Sequence, residues 1–332
     1  MNLLSPPVLK ALCIRAGKKP ERSLGQHFLI HAGTLAEIVT TVDPQPADTI
    51  LEVGPGFGVL TTALAPRVGR LIAIEMDRQV IPVLQEIVAP FGWVEIVAGD
   101  ALRVLSGRER GSLWPLESVH GGIAPEGGDV APPLRLATYP SDVVAALHGR
   151  LGSPSSQHSW KLAANLPYQI TSDFLRVLFD QIAAGAIPPP ERIVLLLQKE
   201  VVDRLVGADG SVGFLTVLTQ LHATARRVVR VPASHFWPPP KVEGAVVQFT
   251  EIRSPEALAD LLQPLSRDQF LRFVHMAFAG RRKQIGTSIR TIAACDRSEA
   301  DAICVGVGID PTARPETLTL AQWIALAKAV GR

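Results

Sequence analysis

The chain has 332 residues, a hydrophobic content of 47% and a formal net charge of +2. A chain of this length can bury a substantial core and is long for a single domain, so we predict a globular protein of two domains. Its three cysteines form no C-x-x-C pair, which argues against a disulfide framework and against a zinc site.

The N-terminal stretch lacks the features of a signal peptide. Pro6, Pro7 and Lys10 interrupt the apolar residues that begin at Leu3. The apolar runs farther along the chain are too short to cross a bilayer. We therefore expect no membrane association and a cytoplasmic location.

A glycine-rich run follows the first predicted strand. It places Gly54, Gly56 and Gly58 ahead of a helical pattern over 59–64. A strand, a tight glycine turn and a helix N-terminus commonly hold a nucleotide cofactor. A dinucleotide site would have Gly or Ala three residues after Gly56, where this chain has Val59. The spacing therefore favours a nucleoside cofactor over NAD or a flavin.

Two acidic residues follow the next two predicted strands. Glu75 ends an apolar strand over 71–74, and Asp100 follows a strand-like run over 94–98. A carboxylate at Glu75 suits a bidentate hydrogen bond to the two hydroxyls of a ribose. Asp100 could accept from the adenine amine of the cofactor. Each residue alone is more typical of a solvated loop, but their order after the glycine run indicates one cofactor site.

Residues 103–160 interrupt the alternation of strands and helices. The segment is rich in Gly, Pro and Ser, so we expect a surface insertion within the first domain. A short helix is predicted within it, over 135–151. A flexible decoration and a species-specific ribosome contact are both open as its role.

The tetrapeptide Asn165-Leu166-Pro167-Tyr168 ends the next predicted strand, over 161–164. The N6 amine of adenine is a poor nucleophile because its lone pair is delocalised into the ring. The Asn165 side-chain oxygen and the Leu166 carbonyl, held open by Pro167, can each accept one N6 hydrogen. Tyr168 can stack on the base. These groups suit methyl transfer to an adenine amine, although a strand end running into a proline turn would have the same sequence.

The last predicted strands and helices complete an α/β fold. Three further strands are predicted, over 192–197, 225–231 and 244–250. The last two should form an antiparallel hairpin at the edge of the sheet. Helical patterns follow, with a capping box at Thr319 and Gln322. We predict a catalytic domain over 1–252 and a small helical domain over 253–332.

Basic residues cluster in three parts of the chain. One cluster lies within the first 30 residues, and the other two are Arg226, Arg227, Arg230 and Lys241, and Arg281, Arg282 and Lys283. If the fold brings them to one rim, they form a track for RNA phosphates. Each cluster taken alone is more typical of a solvated face.

Four further segments match one known family. They are Leu24-Gly25-Gln26-His27-Phe28-Leu29, Leu197-Gln198-Lys199-Glu200-Val201, Phe236-Trp237-Pro238-Pro239-Pro240-Lys241-Val242 and Gly308-Ile309-Asp310-Pro311. Together with the motifs above, they make the chain resemble the ribosomal RNA adenine dimethyltransferases, the KsgA/RsmA family, from about Arg22 to Lys328. The resemblance implies a Rossmann-like class I methyltransferase sheet with a small C-terminal helical domain.

The resemblance also implies a reaction and its site. The reaction is dimethylation of N6 of two adjacent adenines in the hairpin near the 3′ end of small-subunit (16S) rRNA, with S-adenosyl-L-methionine as methyl donor and no metal. The expected partner is the immature small ribosomal subunit, bound by a monomer. The implied cofactor contacts are His27, Leu29, Gly54, Gly56, Gly58, Glu75, Asp100 and Asn165. The expected RNA contacts come from the basic clusters above and are Arg226, Arg227, Lys241, Arg281, Arg282 and Lys283.

The chain departs from the family pattern at two places. His27 stands where relatives usually have Asn; both residues can contact a cofactor, so no loss of function is expected. Residues 212–216 lack the arginine of a Tyr-Gly-Arg-Leu-Ser segment, which puts RNA contacts there in doubt.

Three other functions are compatible with parts of the pattern. A large-subunit rRNA methyltransferase conferring antibiotic resistance usually has Ile after the tetrapeptide's Asn, so Leu166 argues against it. A non-enzymatic ribosome-assembly factor would tolerate loss of the cofactor residues, which are all present. A dinucleotide oxidoreductase is disfavoured by Val59.

Overall fold

The computed structural model describes residues 1–18, 27–106, 151, 159–167, 169–208, 210, 212–280 and 283–331. Most of the insertion predicted over 103–160 and of the helix predicted over 135–151 lies outside these residues. The predicted bounds of the insertion are wrong at both ends. Residues 103–106 continue a helix that begins at Ala101, and Trp160 already belongs to the next strand.

The strands form one large sheet and one small one. They are β1 (Phe28–Leu29), β2 (Thr49–Val53), β3 (Arg70–Glu75), β4 (Val94–Ala98), β5 (Trp160–Asn165), β6 (Arg192–Gln198), β7 (Thr224–Val231), β8 (Phe236–Trp237) and β9 (Gly244–Thr250). The large sheet has the order β4-β3-β2-β5-β6-β9-β7, and β1 pairs with β8. Strands β2 to β6 are parallel, whereas β9 runs antiparallel to both β6 and β7. The predicted hairpin at the sheet edge is confirmed.

Helices cover both faces of the large sheet and make up the C-terminal part. They are α1 (Pro6–Arg15), α2 (Ala32–Val42), α3 (Val59–Leu64), α4 (Ile81–Val88), α5 (Ala101–Ser106), α6 (Thr171–Ala183), α7 (Lys199–Val206), α8 (Phe214–His222), α9 (Pro255–Leu262), α10 (Arg267–Ala279), α11 (Ile285–Ala293), α12 (Arg297–Gly306) and α13 (Leu320–Val330). The predicted α/β class and the helical C-terminal part are confirmed.

The central strands are buried because both faces of the sheet are covered. Along β2, Leu51 and Val53 contribute to the core that α6 covers, whereas Ile50 contributes to the core beneath α2 and α3. Parallel strands of this kind consist of nearly continuous apolar runs, which is why their spans were readable from the sequence. Residues after 252 join the first of these cores, and the division into two domains stays a prediction.

The strand order opens a crevice between β2 and β5. From β2 the chain continues to β3 and β4 on one side, while β5 and β6 lie on the other. In open parallel sheets, ligands bind where the strand order reverses, outside the carboxyl ends of the strands. Gly54 follows the end of β2, and Asn165 is the last residue of β5. The two motifs of the sequence therefore meet at one edge of the sheet.

The first helix was not predicted from the sequence. Leu9 and Leu12 of α1 are buried in a cluster with Phe57 of the glycine loop and with Val83 of α4. The N-terminal segment therefore packs directly on the loop that follows β2. None of the helices within the described ranges is long and apolar enough to span a bilayer.

Candidate active site

The glycine loop after β2 has a backbone conformation that requires glycine. Gly54, Gly56 and Gly58 have φ values of 68°, 56° and 83°, in the left-handed region that side chains disfavour. A Cβ at Gly58 would lie 2.9 Å from Leu84 Cδ1, and one at Gly56 would lie 3.2 Å from Phe28 Cε1. The loop therefore has both the shape and the bare backbone that a closely approaching ligand needs.

Glu75 at the end of β3 is hydrogen-bonded to this loop. Its Oε2 accepts from the Gly56 N–H at 3.0 Å, and its Oε1 accepts from the Asp77 N–H at 2.9 Å. Burial raises the pKa of Glu75, and the Gly56 hydrogen bond and the charge of Lys18 oppose that rise. A carboxylate oxygen can accept more than one hydrogen bond, so these contacts fix the group without exhausting it.

Asp100 lies beside Glu75 at the same edge of the sheet. It follows β4, and the N–H of Gly99 donates to the Glu75 carbonyl at 2.7 Å. Asp100 is 7% exposed, and its Oδ1 accepts from the Leu102 N–H at 3.0 Å, at the start of α5. The two residues predicted to hold ribose and adenine thus lie at the carboxyl ends of adjacent strands.

Asn165 is held in a defined orientation at the end of β5. Its Nδ2 donates to the His27 carbonyl at 3.1 Å, and His27 Nδ1 lies 2.7 Å from the Pro238 carbonyl. Because the amide nitrogen faces His27, the amide oxygen points the other way, as its predicted acceptor role requires. A Cβ at Gly54 would lie 3.9 Å from the backbone carbonyl oxygen of Asn165, so the end of β5 lies next to the glycine loop.

The rest of the tetrapeptide continues from the strand into α6. Leu166 is 2% exposed, and its N–H donates to the Leu196 carbonyl at 3.3 Å. The Pro167 carbonyl accepts from the Ile170 N–H at 3.3 Å, just before α6 begins. Tyr168 lies outside the described residues. Leu29 is buried in the core beneath α2, and its predicted contact with a cofactor stays a prediction.

Glu52 is a functional candidate that the sequence reasoning passed over. It lies in β2 two residues before Gly54, is 2% exposed, and its Oε2 has no hydrogen-bond partner within the described part of the chain. Burial, with a smaller contribution from the charge of Glu75, raises the pKa of Glu52 to about 8. No sequence signal distinguishes it, because the burial of a Glu within an apolar strand depends on what packs against the strand in the folded protein.

We expect Glu52→Gln to change the pH dependence of stability. Because the pKa of Glu52 rises from 4.5 to about 8 on folding, the wild type loses stability as the pH rises through that interval. The variant has no such proton to lose. The unfolding free energy of the variant should therefore rise relative to that of the wild type between pH 5 and 8, by roughly 1–3 kcal/mol. Thermal unfolding curves recorded at several pH values measure this difference. If the stabilities of the variant and the wild type changed with pH in the same way, the pKa of Glu52 would not be raised by folding.

The predicted RNA-binding residues differ in how they are held. Arg226 is exposed on the edge strand β7 and donates to Gln248 Oε1 at 2.9 Å. Arg227 is half-buried and forms an ion pair with Asp203, whose pKa is lowered by Lys199 and by Arg227. Lys241 and Lys283 are exposed. Arg281 and Arg282 lie outside the described residues.

Comparisons with known proteins show the family of this chain. The family model described as ribosomal RNA adenine dimethylase matches residues 17–330. The ribosomal RNA small subunit methyltransferase A of Geobacter metallireducens is 35% identical to this chain, over 95% of this chain and 96% of the length of the relative. The protein of the same name from Pelotomaculum thermopropionicum is 32% identical, covering 97% and 95%.

The chain belongs to the ribosomal RNA adenine dimethylase family. The resemblance predicted from the motifs is thereby confirmed, and the chain is a methyltransferase. Two solved structures have the same fold. The 23S rRNA methyltransferase ErmE superimposes with a TM-score of 0.59 at 22% identity, covering 92% of this chain and 100% of its own. A dimethyladenosine transferase from Plasmodium falciparum superimposes with a TM-score of 0.61 at 19% identity, covering 90% and 96%.

As in other class I methyltransferase folds, the candidate site of this adenine dimethylase lies at the carboxyl edge of the sheet. Its polar groups are carboxylates, an amide and backbone groups. No cluster of three or more His, Cys, Asp and Glu suited to a metal ion occurs among the residues whose structure is described.

Proposed function

We propose that this adenine dimethylase transfers methyl groups from S-adenosyl-L-methionine to N6 of two adjacent adenines in the hairpin near the 3′ end of small-subunit rRNA. The observation that carries the proposal is the position of Asn165. Its side-chain amide is oriented by the His27 carbonyl, and its backbone lies beside the glycine loop, where a bound methyl donor and an adenine amine would meet.

The residues at this edge fit S-adenosylmethionine. The glycine loop allows close approach of the cofactor, and Glu75 is placed to accept from its ribose hydroxyls. Asp100 would accept from its adenine amine, while His27 and Leu29 would line its methionine end. When bound, the cofactor supplies the activated methyl group. The donor set agrees with a nucleoside ligand because it combines carboxylate acceptors with a bare backbone.

The tetrapeptide would hold and polarise the target base. The adenine leaves its stack, as enzymes acting on a base require. The Asn165 oxygen and the Leu166 carbonyl accept the two N6 hydrogens, which draws the lone pair back onto nitrogen, and Tyr168 stacks on the ring. The alignment favours in-line displacement. The methylated amine is cationic and loses its proton to water, so the chain needs no general base.

An exposed basic surface would guide the RNA to this site. Arg226 and Arg230 project from the edge strand β7, and Lys241 follows β8. We assign the phosphate track to these side chains and to Lys283, because phosphate contacts dominate the affinity of such proteins. Arg227 has a smaller part in the track, since its charge is balanced by Asp203.

Replacing Arg226 and Arg230 with Gln should weaken RNA binding in a salt-dependent way. Each lost phosphate contact should flatten the dependence of log affinity on log salt concentration by about 0.7–0.9. Cofactor affinity should not change. Fluorescence anisotropy with the target hairpin measures this slope over roughly 50 to 300 mM salt, the range in which phosphate contacts affect affinity. Arg297→Gln, in α12, is the control and should leave the slope unchanged. An unaltered slope would assign these arginines to a solvated face.

The target subunit is tested in cells. We expect deletion of the gene to remove N6,N6-dimethyladenosine from small-subunit rRNA and to leave large-subunit rRNA unchanged, as measured by mass spectrometry of nuclease digests. The names of the curated relatives and the presence of Leu166 support the small subunit. Loss of the product from large-subunit rRNA would assign the enzyme to the other target. Its partner in this proposal is the immature subunit, which it binds as a monomer.

A further inference from the structure

The residues that follow α1 lie against the predicted ribose acceptor. The chain turns at Gly17, which has a φ of 65°, and the Lys18 N–H donates to the Cys13 carbonyl at 2.8 Å. This turn carries the Lys18 side chain to Asp77, with which its ammonium group forms an ion pair. The two side chains are only 9% and 16% exposed. A lysine is seldom buried to this extent without a defined partner.

Lys18 and Glu75 are linked through Asp77. The Asp77 N–H donates to Glu75 Oε1 at 2.9 Å, and the Asp77 carboxylate binds Lys18. The other Glu75 oxygen accepts from the glycine loop at 3.0 Å. The ammonium group of Lys18 is therefore part of one polar cluster with the carboxylate that is placed to bind ribose.

Packing holds Lys18 in this position. Leu9, Leu12 and Cys13 of α1 are buried against Phe57 and Val83. A second ion pair, between Arg15 and Glu86, joins the end of α1 to α4. The helix is thus attached to the glycine loop on one side and to the helix after β3 on the other.

We propose that Lys18 is a positioning residue for cofactor binding, which through Asp77 holds Glu75 in place to accept the ribose hydroxyls and so makes residues 1–18 part of the cofactor site. The inference rests on the proposed use of S-adenosylmethionine. It adds a cationic residue from a segment that precedes every motif of the family resemblance.

The charges around Glu75 explain why a nearby cation matters. Burial raises the pKa of Glu75, and the charge of Lys18 lowers it. The other ionisable groups around it are Asp77 in its own turn and Asp100 after β4, whose carboxylates would add negative charge, and Glu52 on β2, which is protonated below its pKa of about 8. A protonated Glu75 would give weaker, uncharged hydrogen bonds to ribose. Cofactor affinity should therefore be lost as the pH falls through the pKa of Glu75.

Calorimetric titration with S-adenosylmethionine over a series of pH values tests the role of Lys18, because burial raises the pKa of Glu75 and the charge of Lys18 opposes that rise. In Lys18→Gln the pKa of Glu75 rises further, so the acid loss of affinity should move to higher pH. The dissociation constant should increase about tenfold where Glu75 is ionised in the wild type and protonated in the variant. Lys18→Arg should restore the wild-type profile, and replacing Lys10, which is exposed on α1, with Gln should not alter it.

Asp77→Asn separates electrostatics from folding. Removing this anion leaves the Lys18 charge less compensated, so the affinity profile should move to lower pH, opposite to the Lys18→Gln shift. A Lys18→Gln variant with the wild-type profile, or one weakened equally at every pH, overturns the proposal. So does an unmoved Asp77→Asn profile, even if Lys18→Gln fails to fold. A wild type that binds no S-adenosylmethionine would overturn the proposed function itself.

Discussion

Asn165→Ala should slow methyl transfer by about 10²–10³-fold, equivalent to about 2.7–4 kcal/mol of barrier, in a single-turnover assay. The amide oxygen that is lost accepts from the N6 amine, and this bond strengthens as the nitrogen becomes tetrahedral. The loss should therefore appear in the rate of the chemical step rather than in binding of the subunit.

Two further measurements make the Asn165 result specific. Binding of immature small subunits to the variant should stay close to that of the wild type. A polar substitution away from the crevice, Thr224→Ala at the start of the edge strand β7, should leave the rate unchanged. An Asn165→Ala variant that folds and methylates at the wild-type rate would reduce the tetrapeptide to a structural turn.

Glu75→Ala should weaken binding of S-adenosylmethionine by about 10- to 100-fold. A hydrogen bond to a charged group contributes about 1.5–3 kcal/mol, and the carboxylate is placed to make such bonds to ribose. Because Glu75 also accepts from Gly56, the variant loses part of the support of the glycine loop. Calorimetry at neutral pH measures the affinity.

Glu75→Gln separates the two roles of Glu75. The variant keeps a side chain of the same size with one acceptor oxygen. It should therefore bind S-adenosylmethionine more tightly than Glu75→Ala does and more weakly than the wild type does. Glu37→Ala, exposed on α2, is the matched control and should bind normally. If the wild type bound NAD and not S-adenosylmethionine, the assignment of the cofactor site would be wrong.

The sequence was informative wherever local pattern and function coincide. The strands over 94–98 and 244–250 and the helix over 59–64 have the predicted bounds. Each is a short, mostly apolar run with a glycine or a charged residue next to at least one of its ends. Glu75 and Asp100 were found because each follows a strand, and parallel strands bring their carboxyl ends to one edge.

Other features depend on contacts between distant segments. Strands β1 and β8 are two residues long and pair across about two hundred residues, so no local period indicates them. Arg227 resembles a free basic residue in the sequence, yet it is paired with Asp203. The burial of Glu52 and the approach of Lys18 to Asp77 likewise exist only in the folded chain.

The most direct test of the function combines the purified protein, S-adenosylmethionine and small subunits that lack the modification. After incubation, the rRNA is digested and analysed by mass spectrometry, with fragments assigned to their positions. We predict two adjacent N6,N6-dimethyladenosines in the hairpin near the 3′ end, and none when large subunits are supplied instead. Absence of this product from small subunits, or its formation in large-subunit rRNA, would contradict the account.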